Sequence, residues 1–533
     1  MRFRSLLLAA FLTLSTGPAR ADSGASEPPI LRRGNGTEVQ SLDPHLVSGV
    51  PAMRVLRALY EGLVTLDPES LEPRPAVAES WEISPDGRRY TFRLDPEARW
   101  SNGDPVTAED FRESFLRILH PSLAAPYASQ LFVLEGAEAY YREETTDPAE
   151  VGVRAPERHT LVLTLESPTP YFLSLLVNAA WYPVHRPSVE ATGAWLSRQG
   201  DWTRPGRLVS NGAFRLAEWK LNEYLRVVRN PHYRAPQRYH LAEIFFFPIE
   251  NVFTEERAFA DGLLDVTSLV STPRIRDYLE GEGRQALRVE PDLGVYYLLL
   301  NTRVPPLDDP RVRRALSLAL DRRAVTRDIR RRGEPPARHF TPEGIGGYRP
   351  PDRVREDAEE ARALLREAGY GPDRPFPRLT YLFNTSETHR PIAETIQALW
   401  KERLGIEIEL VNKEWKSYLA DRRRRDFAIA RAGWLGDYLD PDTFLGLWTS
   451  GSTHNFSGWS SEAYDEAMAR AARLPAGAER NSWLARAEEE LLSALPVIPV
   501  FFYNRAYLVR PTVRNWPENL LGYTDYSGIR ILP

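Results

Sequence analysis

An arginine and an aspartate in the stretch Asp426–Pro441 could bind the two charged ends of a single ligand. The run around Arg431 is otherwise small or apolar, which predicts a strand, and Gly433 and Gly436 interrupt it just before Asp437. Glycine at the end of a strand lets backbone approach a ligand closely. A guanidinium binds an α-carboxylate, and a carboxylate binds an α-ammonium. The pair therefore predicts a site for a zwitterion such as a peptide.

Two other interpretations of Arg431 and Asp437 remain open from these residues alone. The side chains could form an internal salt bridge, or they could be solvated charges at the end of a strand. Most charged residues of a soluble protein lie on its surface. The rest of the chain has to decide between a ligand site and a structural role.

The sequence lacks the patterns of other site chemistries. The nine histidines are scattered, and no two of them stand four residues apart, as metal ligands on one helix would. The glycines of 34–36 and 344–347 do not complete a dinucleotide-binding motif, and there is neither a P-loop nor a nucleophile elbow. We therefore predict no catalytic residue, no metal site and no cofactor, although missing motifs do not exclude an enzyme.

The composition indicates a soluble protein of two or three domains. The chain has 533 residues, of which 42% are hydrophobic and 26% are charged, and its formal net charge is −5. This acidic balance provides no general attraction to nucleic acid. The basic run Arg422–Arg425 is therefore interpreted as a solvated edge of a helix or loop.

The N-terminus has the pattern of a secretory signal peptide. Arg2 and Arg4 precede the apolar run Leu6–Leu14, which is too short to span a membrane, and an A-x-A cleavage site follows. We expect residues 1–21 to be removed by cleavage after Ala21. Because the chain has no cysteine, we expect no lipid anchor, and the mature protein is predicted to lie in the periplasm.

Local signals predict several element boundaries. Pro85–Gly87 predicts a hairpin turn, and Thr107 with Asp110 predicts a capped helix start. Asp309 before Pro310 predicts a second helix start.

Two near-continuous apolar runs, Leu241–Ile249 and Gly294–Asn301, predict strands that are buried on both faces. Strand and helix patterns alternate from Gly294 to Leu474, which indicates an α/β domain.

A series of residue runs resembles one family when the runs are taken in their order along the chain. They are Ser41–His45, Tyr60–Leu63, Pro75–Trp81, Asn102–Phe111, Pro126–Ser129, Ser210–Phe214, Arg311–Leu316, Asn384–His389 and Ala430–Pro441. Together they resemble the periplasmic oligopeptide-binding proteins of ABC importers, the solute-binding proteins of family 5, which is the peptide/nickel class. The resemblance extends from about residue 36 to residue 511.

The resemblance implies an α/β fold of the periplasmic-binding-protein-like type. In this Venus-flytrap arrangement two lobes close over the ligand by a hinge motion, and a third domain is inserted. Lobe I would be discontinuous and would comprise residues 22–60, 187–288 and 505–533. The inserted domain would comprise residues 61–186, and lobe III would comprise residues 289–504.

The resemblance also implies roles for charged residues. Asp437 matches the aspartate that pairs with the peptide α-ammonium. Arg431 and Arg422 match arginines that meet the peptide carboxylate at particular peptide lengths, and His389 matches a histidine with the same role.

A backbone segment and two aromatic residues complete the implied site. The backbone of Ala432, Gly433, Trp434 and Leu435 matches the segment that pairs with the peptide as an added strand. Main-chain hydrogen bonds would then supply affinity whatever the peptide side chains are. Tyr127 and Tyr503 match aromatic residues near this segment.

The implied function is capture of oligopeptides and their delivery to an inner-membrane ABC permease. The protein would be a monomer and not an enzyme, with no nucleic-acid partner. One alternative keeps the scaffold but changes the ligand to a dipeptide, murein peptide, opine, sugar or metal chelate. Another class of alternatives comprises a periplasmic peptidase or glycosidase, and a peptide-binding chaperone or signalling receptor.

Overall fold

Helices and strands alternate along most of the chain. The structure is a computed structural model that describes residues 29–47, 49–386 and 388–532, so the predicted signal peptide lies outside the described residues. The strands are β1 Ile30–Gly34, β2 Val64–Leu66, β3 Pro73–Pro75, β4 Ala78–Ile83, β5 Arg89–Leu94, β6 Val153–Glu157, β7 Thr160–Thr164, β8 Phe214–Lys220, β9 Tyr224–Arg229, β10 Glu243–Phe247, β11 Leu287–Leu300, β12 Leu379–Asn384, β13 Ile408–Lys413, β14 Ile429–Leu435, β15 Val497–Leu508, β16 Val513–Arg514 and β17 Arg530–Ile531.

The α-helices lie mainly between these strands. They are α1 Val50–Leu59, α2 Ala108–Leu119, α3 Ala137–Tyr141, α4 Phe172–Leu175, α5 Arg186–Glu190, α6 Val252–Ala260, α7 Thr272–Glu280, α8 Pro310–Leu318, α9 Ala358–Glu367, α10 His389–Leu404, α11 Trp415–Arg424, α12 Asp442–Leu445, α13 Glu462–Ala472 and α14 Ala478–Ala494. In the described part of the chain, no helix has both the length and the apolar character that crossing a membrane requires.

Three larger sheets organise the molecule. One has the strand order β1-β10-β9-β8, with β1 parallel to β10, and a second, antiparallel sheet has the order β4-β5-β7-β6. The third has the order β13-β12-β14-β11-β15 and mixes parallel and antiparallel pairs. The predicted α/β class is therefore confirmed.

The five-stranded sheet is covered on both faces. Val295 and Tyr297 of β11 point into a cluster that includes residues of α13 and α14, while Tyr296 and Leu298 point into a cluster with residues of α8 and α10. Successive side chains of a strand point to opposite faces. The prediction that 294–301 is a strand buried on both faces is confirmed, and β11 begins earlier, at Leu287.

For Leu241–Ile249 the predicted strand is confirmed as β10, but its predicted burial on both faces is wrong. In β10, Ile244 and Phe246 are buried, while Phe245 and Phe247 are only partly buried. Tyr224 packs against both of these phenylalanine rings, with centroids 5.3 and 6.3 Å away. Aromatic side chains thus form a half-covered outer face, which the apolar run alone could not distinguish from a core face.

The predicted turn and helix starts are confirmed. The β4–β5 hairpin turns between Ile83 and Arg89. Thr107 and Asp110 form a reciprocal capping box at the start of α2. The Asp309 side chain accepts a hydrogen bond from the backbone of Arg311 at the start of α8.

A buried ion pair fastens α2 to the first part of the chain. Arg117 of α2 donates to the Asp43 carboxylate at 2.7 and 3.1 Å, and both side chains are almost completely buried. Burial opposes the charge of Asp43, but Arg117 outweighs it and holds the pKa of this carboxyl below its usual value. Burial and Arg117 together lower the pKa of His45 to about 4, so this neighbour is neutral at pH 7.

We expect Asp43→Asn to destabilise the protein strongly, because it leaves the Arg117 guanidinium buried without a counter-charge. Breaking a buried pair in this way costs about 3–5 kcal/mol. Urea denaturation followed by tryptophan fluorescence measures the loss in free energy of unfolding. The matched control is Glu138→Gln, which breaks the exposed Glu138–Arg142 pair of α3 and should cost about 0.3–0.5 kcal/mol. Equal effects of the two substitutions would contradict the prediction.

Candidate functional site

One edge of β14 is open over most of its length. On one side β14 pairs with β11 along its whole length, from Ile429 to Leu435. On the other side it pairs with β12 only at Ile429 and Ala430. Within the described residues, no strand pairs with the remainder of that edge. Its unpaired N–H and C=O groups are a template for another extended chain.

Gly433 makes room for a predicted site residue. A Cβ atom built on Gly433 would lie 2.4 Å from the hydroxyl oxygen of Tyr503, which is closer than any side chain permits. A Cβ on Gly436 would lie 2.6 Å from the Leu293 side chain. The sequence predicted that these glycines let the backbone approach a ligand. In the structure, the side chains of Tyr503 and Leu293 approach them instead.

Arg431 is held in a cage of tyrosines. Its guanidinium lies 3.3 Å from the Tyr503 hydroxyl and 5.1 Å from the centre of the Tyr296 ring. The Asn384 side-chain oxygen accepts a long hydrogen bond of 3.5 Å from the Arg431 guanidinium. Nε of Arg431 is buried without a hydrogen-bond partner. Burial alone would lower the pKa of Arg431, because it disfavours the charged guanidinium. The surrounding tyrosine hydroxyls favour the charged form more strongly, so the pKa of Arg431 is raised.

The carboxylate of Asp437 is also unpaired. Its backbone N–H donates to the Thr443 hydroxyl at 3.1 Å, but among the described residues its side chain forms no hydrogen bond or ion pair. Solvent reaches this residue, yet the protein around it desolvates the carboxyl and raises its pKa. The possible internal salt bridge between Arg431 and Asp437 is not formed.

Tyr127 lies within electrostatic reach of Asp437. Burial raises the pKa of the Tyr127 hydroxyl, and the charge of Asp437 raises it further. Tyr127 directly precedes the 3₁₀ helix Ala128–Val133. The structure thus brings together two predicted site residues that are far apart in sequence.

The loop after Asp437 is fastened from two directions. The Tyr438 ring stacks on the Tyr171 ring at 4.3 Å, and its hydroxyl donates to Asp442 at 2.8 Å. Asp440 forms a buried pair with Arg480 of α14, with distances of 2.7 and 2.8 Å. The sequence analysis did not predict these contacts. The position of Tyr438 next to Asp437 was the signal that could have indicated a role for Tyr438.

His389 and Tyr503 border the cage around Arg431. His389 is the first residue of α10, and its ring centre lies 5.8 Å from that of Tyr296. Burial and the charges of Arg431 and Arg330 lower the pKa of His389 to about 3, so its imidazole is neutral at pH 7. A neutral imidazole can donate one hydrogen bond to a carboxylate but brings no charge.

Arg422 points inward from α11. Its guanidinium lies 5.1 Å from the Phe456 ring centre and 5.7 Å from that of Tyr418, and its Nε is buried without a hydrogen-bond partner. Arg423 and Arg424 are exposed. The interpretation of the basic run as a solvated edge therefore holds for these two residues but not for Arg422. It does not hold for Arg425 either, which is partly buried and donates to the backbone carbonyl of Asn455 at 3.2 Å.

Tyr418 connects the surroundings of the two arginines. Its hydroxyl donates to the backbone carbonyl of Arg431, and its ring contacts Arg422. The Trp434 and His454 rings meet edge to face at 5.3 Å. Tyr296 and Tyr418 were not predicted as site residues, because only the folded sheet places them beside these arginines.

The charges are ordered along the open edge of β14. The unpaired guanidinium of Arg431 lies near its start, and the unpaired carboxylate of Asp437 lies just beyond its end. This arrangement can hold an extended zwitterion whose ammonium lies at Asp437 and whose carboxylate points toward the arginines. No group of three His, Asp or Glu side chains in the described ranges could hold a metal ion.

Comparisons with known proteins agree with this geometry. Residues 72–456 match the model of the bacterial extracellular solute-binding proteins, family 5 Middle. The periplasmic oligopeptide-binding protein OppA of Escherichia coli K12 is 37% identical over 503 residues, which cover 92% of this chain and 90% of that protein.

Two solved structures show the same fold. The unliganded open form of the periplasmic murein tripeptide binding protein MppA has a TM-score of 0.83 and 35% identity, over 95% of this chain and 98% of that chain. Haemophilus influenzae OppA in complex with the peptide RPPGFSPFR has a TM-score of 0.76 and 34% identity, over 95% and 100%. The two-lobe periplasmic-binding fold implied by the resemblance is confirmed. The chain belongs to the family 5 bacterial extracellular solute-binding proteins.

Proposed function

We propose that this protein captures oligopeptides between its two lobes and delivers them to an ABC permease in the inner membrane. The observation that carries the proposal is the open edge of β14 between two unpaired charges of opposite sign. The relatives are named for binding oligopeptides and a murein tripeptide, and these ligands support the proposal.

Backbone pairing is the first step of the proposed binding mode. A peptide that lies along Ala432–Leu435 would satisfy the free N–H and C=O groups of that edge. Strand addition of this kind obtains affinity from main-chain hydrogen bonds and places few demands on side chains. Four residues of strand span about 13 Å at about 3.3 Å per residue, which suits short peptides.

Recognition of the two termini is the second step. Asp437 receives the α-ammonium, with Tyr127 beside it, and Arg431 receives the α-carboxylate of a short peptide. His389 and Tyr503 can add hydrogen bonds near Arg431. Arg422 serves as the corresponding cation for a longer or displaced ligand.

The competing functions lack such a supporting observation. A peptidase or glycosidase needs a catalytic group beside the ligand, and the groups along the edge of β14 are suited to binding charges. Among other ligands on the same scaffold, a murein peptide has specific support, because the murein tripeptide binding protein MppA is 35% identical to this chain over 95% of its length.

We also propose the domain division that the resemblance implies. The paired strands β11 and β15 run from the five-stranded sheet into a separate cluster, where Leu287 and Leu508 pack with Phe259 and Ile275 of α6 and α7. The boundaries at 288/289 and 504/505 fall inside these two strands, which would form the hinge. The hinge separates lobe III from the rest of the chain.

Closure should accompany binding, because a ligand that contacts both lobes favours the closed state. We expect small-angle X-ray scattering to show a smaller radius of gyration when saturating tripeptide is added to protein freed of ligand by denaturation and refolding. An unchanged radius in the refolded protein would contradict the flytrap motion.

Export should remove residues 1–21 and leave a soluble monomer in the periplasm. We expect N-terminal sequencing of the periplasmic fraction to begin at Asp22, and the protein to elute as a monomer in gel filtration. An uncleaved protein in the cytoplasm would contradict the proposed location and its role in import.

Asp437→Asn should weaken binding of free-amine peptides by about thirty-fold to several thousand-fold. The substitution keeps the shape but removes the counter-charge of an ammonium enclosed by closure, at a cost of about 2–5 kcal/mol. An exposed pair would lose only about 0–1 kcal/mol. Calorimetry with free and N-acetylated peptides on both proteins measures the coupling between the two groups.

The pH dependence provides a control for the role of Asp437. Desolvation by the surrounding protein raises the pKa of Asp437, so peptide affinity should be full above that pKa and should fall as the pH decreases through it. The decline should start at a higher pH than for an ordinary aspartate, and it should be absent in Asp437→Asn. Equal binding of free-amine peptide by both proteins would mean that Asp437 has no role in the site.

A further inference from the structure

A second group of charged residues lies beyond the end of β14. There a cavity of about 180 Å³ is lined by Leu435 and Gly436. It is also lined by Arg33 of β1, Arg54 of α1 and Arg505 of β15. The cavity is therefore continuous with the edge at which the peptide is proposed to bind.

The charges that line this cavity do not balance. Three guanidiniums face two carboxylates, Glu290 and Asp292. Arg505 pairs with both of these carboxylates, at 3.1 and 2.7 Å. Arg33 and Arg54 are left without a carboxylate within 4.0 Å among the described residues.

Arg33 is fixed in place by neutral groups. It is only 4% exposed, and it donates hydrogen bonds to the Thr524 hydroxyl at 3.1 Å and to the Tyr526 hydroxyl at 2.9 Å. Its guanidinium also lies 4.9 Å from the centre of the Trp516 ring. Nε of Arg33 is buried and has no hydrogen-bond partner. The charge is thus positioned but not neutralised.

Arg54 also lines the cavity, and it has no bonded partner among the described residues. Its guanidinium forms no hydrogen bond or ion pair with any described residue, and it is only partly exposed. Burial and the charge of Arg33 lower the pKa of Arg54 to about 9, so it remains protonated at pH 7. Glu255 attracts it from a distance, but the Glu255 carboxylate is already bound to Ser268 and to the backbone of Leu269.

We propose that this cavity binds an acidic side chain of the peptide, carried by its first or second residue, and that Arg54 is the principal contact. The proposal rests on the proposed function, because Asp437 fixes the peptide N-terminus next to Leu435 and Gly436. A carboxylate there would satisfy two guanidiniums that otherwise repel each other. Charge-assisted bonds from arginine to a carboxylate are the strong form of this interaction.

The size of the cavity fits this ligand. A volume of about 180 Å³ is more than ten times the roughly 10–15 Å³ that a cavity needs to hold one water. It accommodates an aspartate or glutamate side chain together with bridging water. A peptide with a lysine at the same position would bring a third positive charge to Arg33 and Arg54.

Binding of three tripeptide pairs to the wild-type protein, measured by calorimetry, tests the selectivity without any substitution. The pairs are Glu-Ala-Ala and Gln-Ala-Ala, Ala-Glu-Ala and Ala-Gln-Ala, and Ala-Ala-Glu and Ala-Ala-Gln. At the first or the second position, we expect the peptide with the acid to bind at least tenfold more tightly than the peptide with the amide. At the third position, we expect the two affinities to differ by less than threefold. Equal affinities at all three positions would overturn the proposal.

Arg54→Gln should reduce the preference for the acid to less than threefold, while Arg54→Lys should retain part of it. Arg486→Gln is the matched control, because it removes the same charge from an exposed position on α14, and it should leave the preference unchanged. A preference that survives in Arg54→Gln would overturn the role of Arg54. If no tripeptide of either kind binds the wild type, the proposed function itself fails, whereas peptide binding without acid preference overturns only this inference.

Discussion

The one-sided pairing of β14 is the constraint on which the site depends. A strand in the interior of a sheet normally bonds to neighbours on both sides, and an unpaired edge is a liability that proteins usually cover. Here β12 leaves β14 after Ala430, while β11 continues to Leu435. Other features of the candidate site lie beside this open edge. Gly433 admits Tyr503 beneath it, and Asp437 follows its end.

Unpaired charges at such an edge reduce the stability of the fold, so their presence there needs an explanation. Desolvating a charge without a partner is expensive. Around Arg431 the cost is reduced by tyrosine hydroxyls and by the face of the Tyr296 ring, which attract a cation without neutralising it. An acidic partner from the protein would compete with the carboxylate of the proposed peptide ligand. By contrast, the Asp43–Arg117 pair satisfies both charges internally and is suited only to a structural role.

Sequence reasoning reached those parts of the molecule that depend on neighbours along the chain. Thr107 with Asp110 and Asp309 with Pro310 are local signals, and the strand and charges of β14 lie within one short stretch. It failed where the structure depends on packing between segments that are far apart in sequence. The outer face of β10, the pairing of Asp43 with Arg117 and the meeting of Arg33 with Arg54 all depend on tertiary contacts. The family resemblance supplied distant site residues such as Tyr127 and His389, which no local pattern could have connected.

The strands that frame the site also connect the proposed lobes. In the ladder between β11 and β15, the register shifts between Pro291 and Val295. Proline has no N–H to donate, so the ladder is weakest there, and a hinge needs only a few residues that absorb backbone rotation. Gly294, at the end of this interruption, pairs with Leu435 at the end of the open edge. A peptide on that edge would therefore lie one strand away from the hinge, so that binding and closure would act on the same part of the sheet.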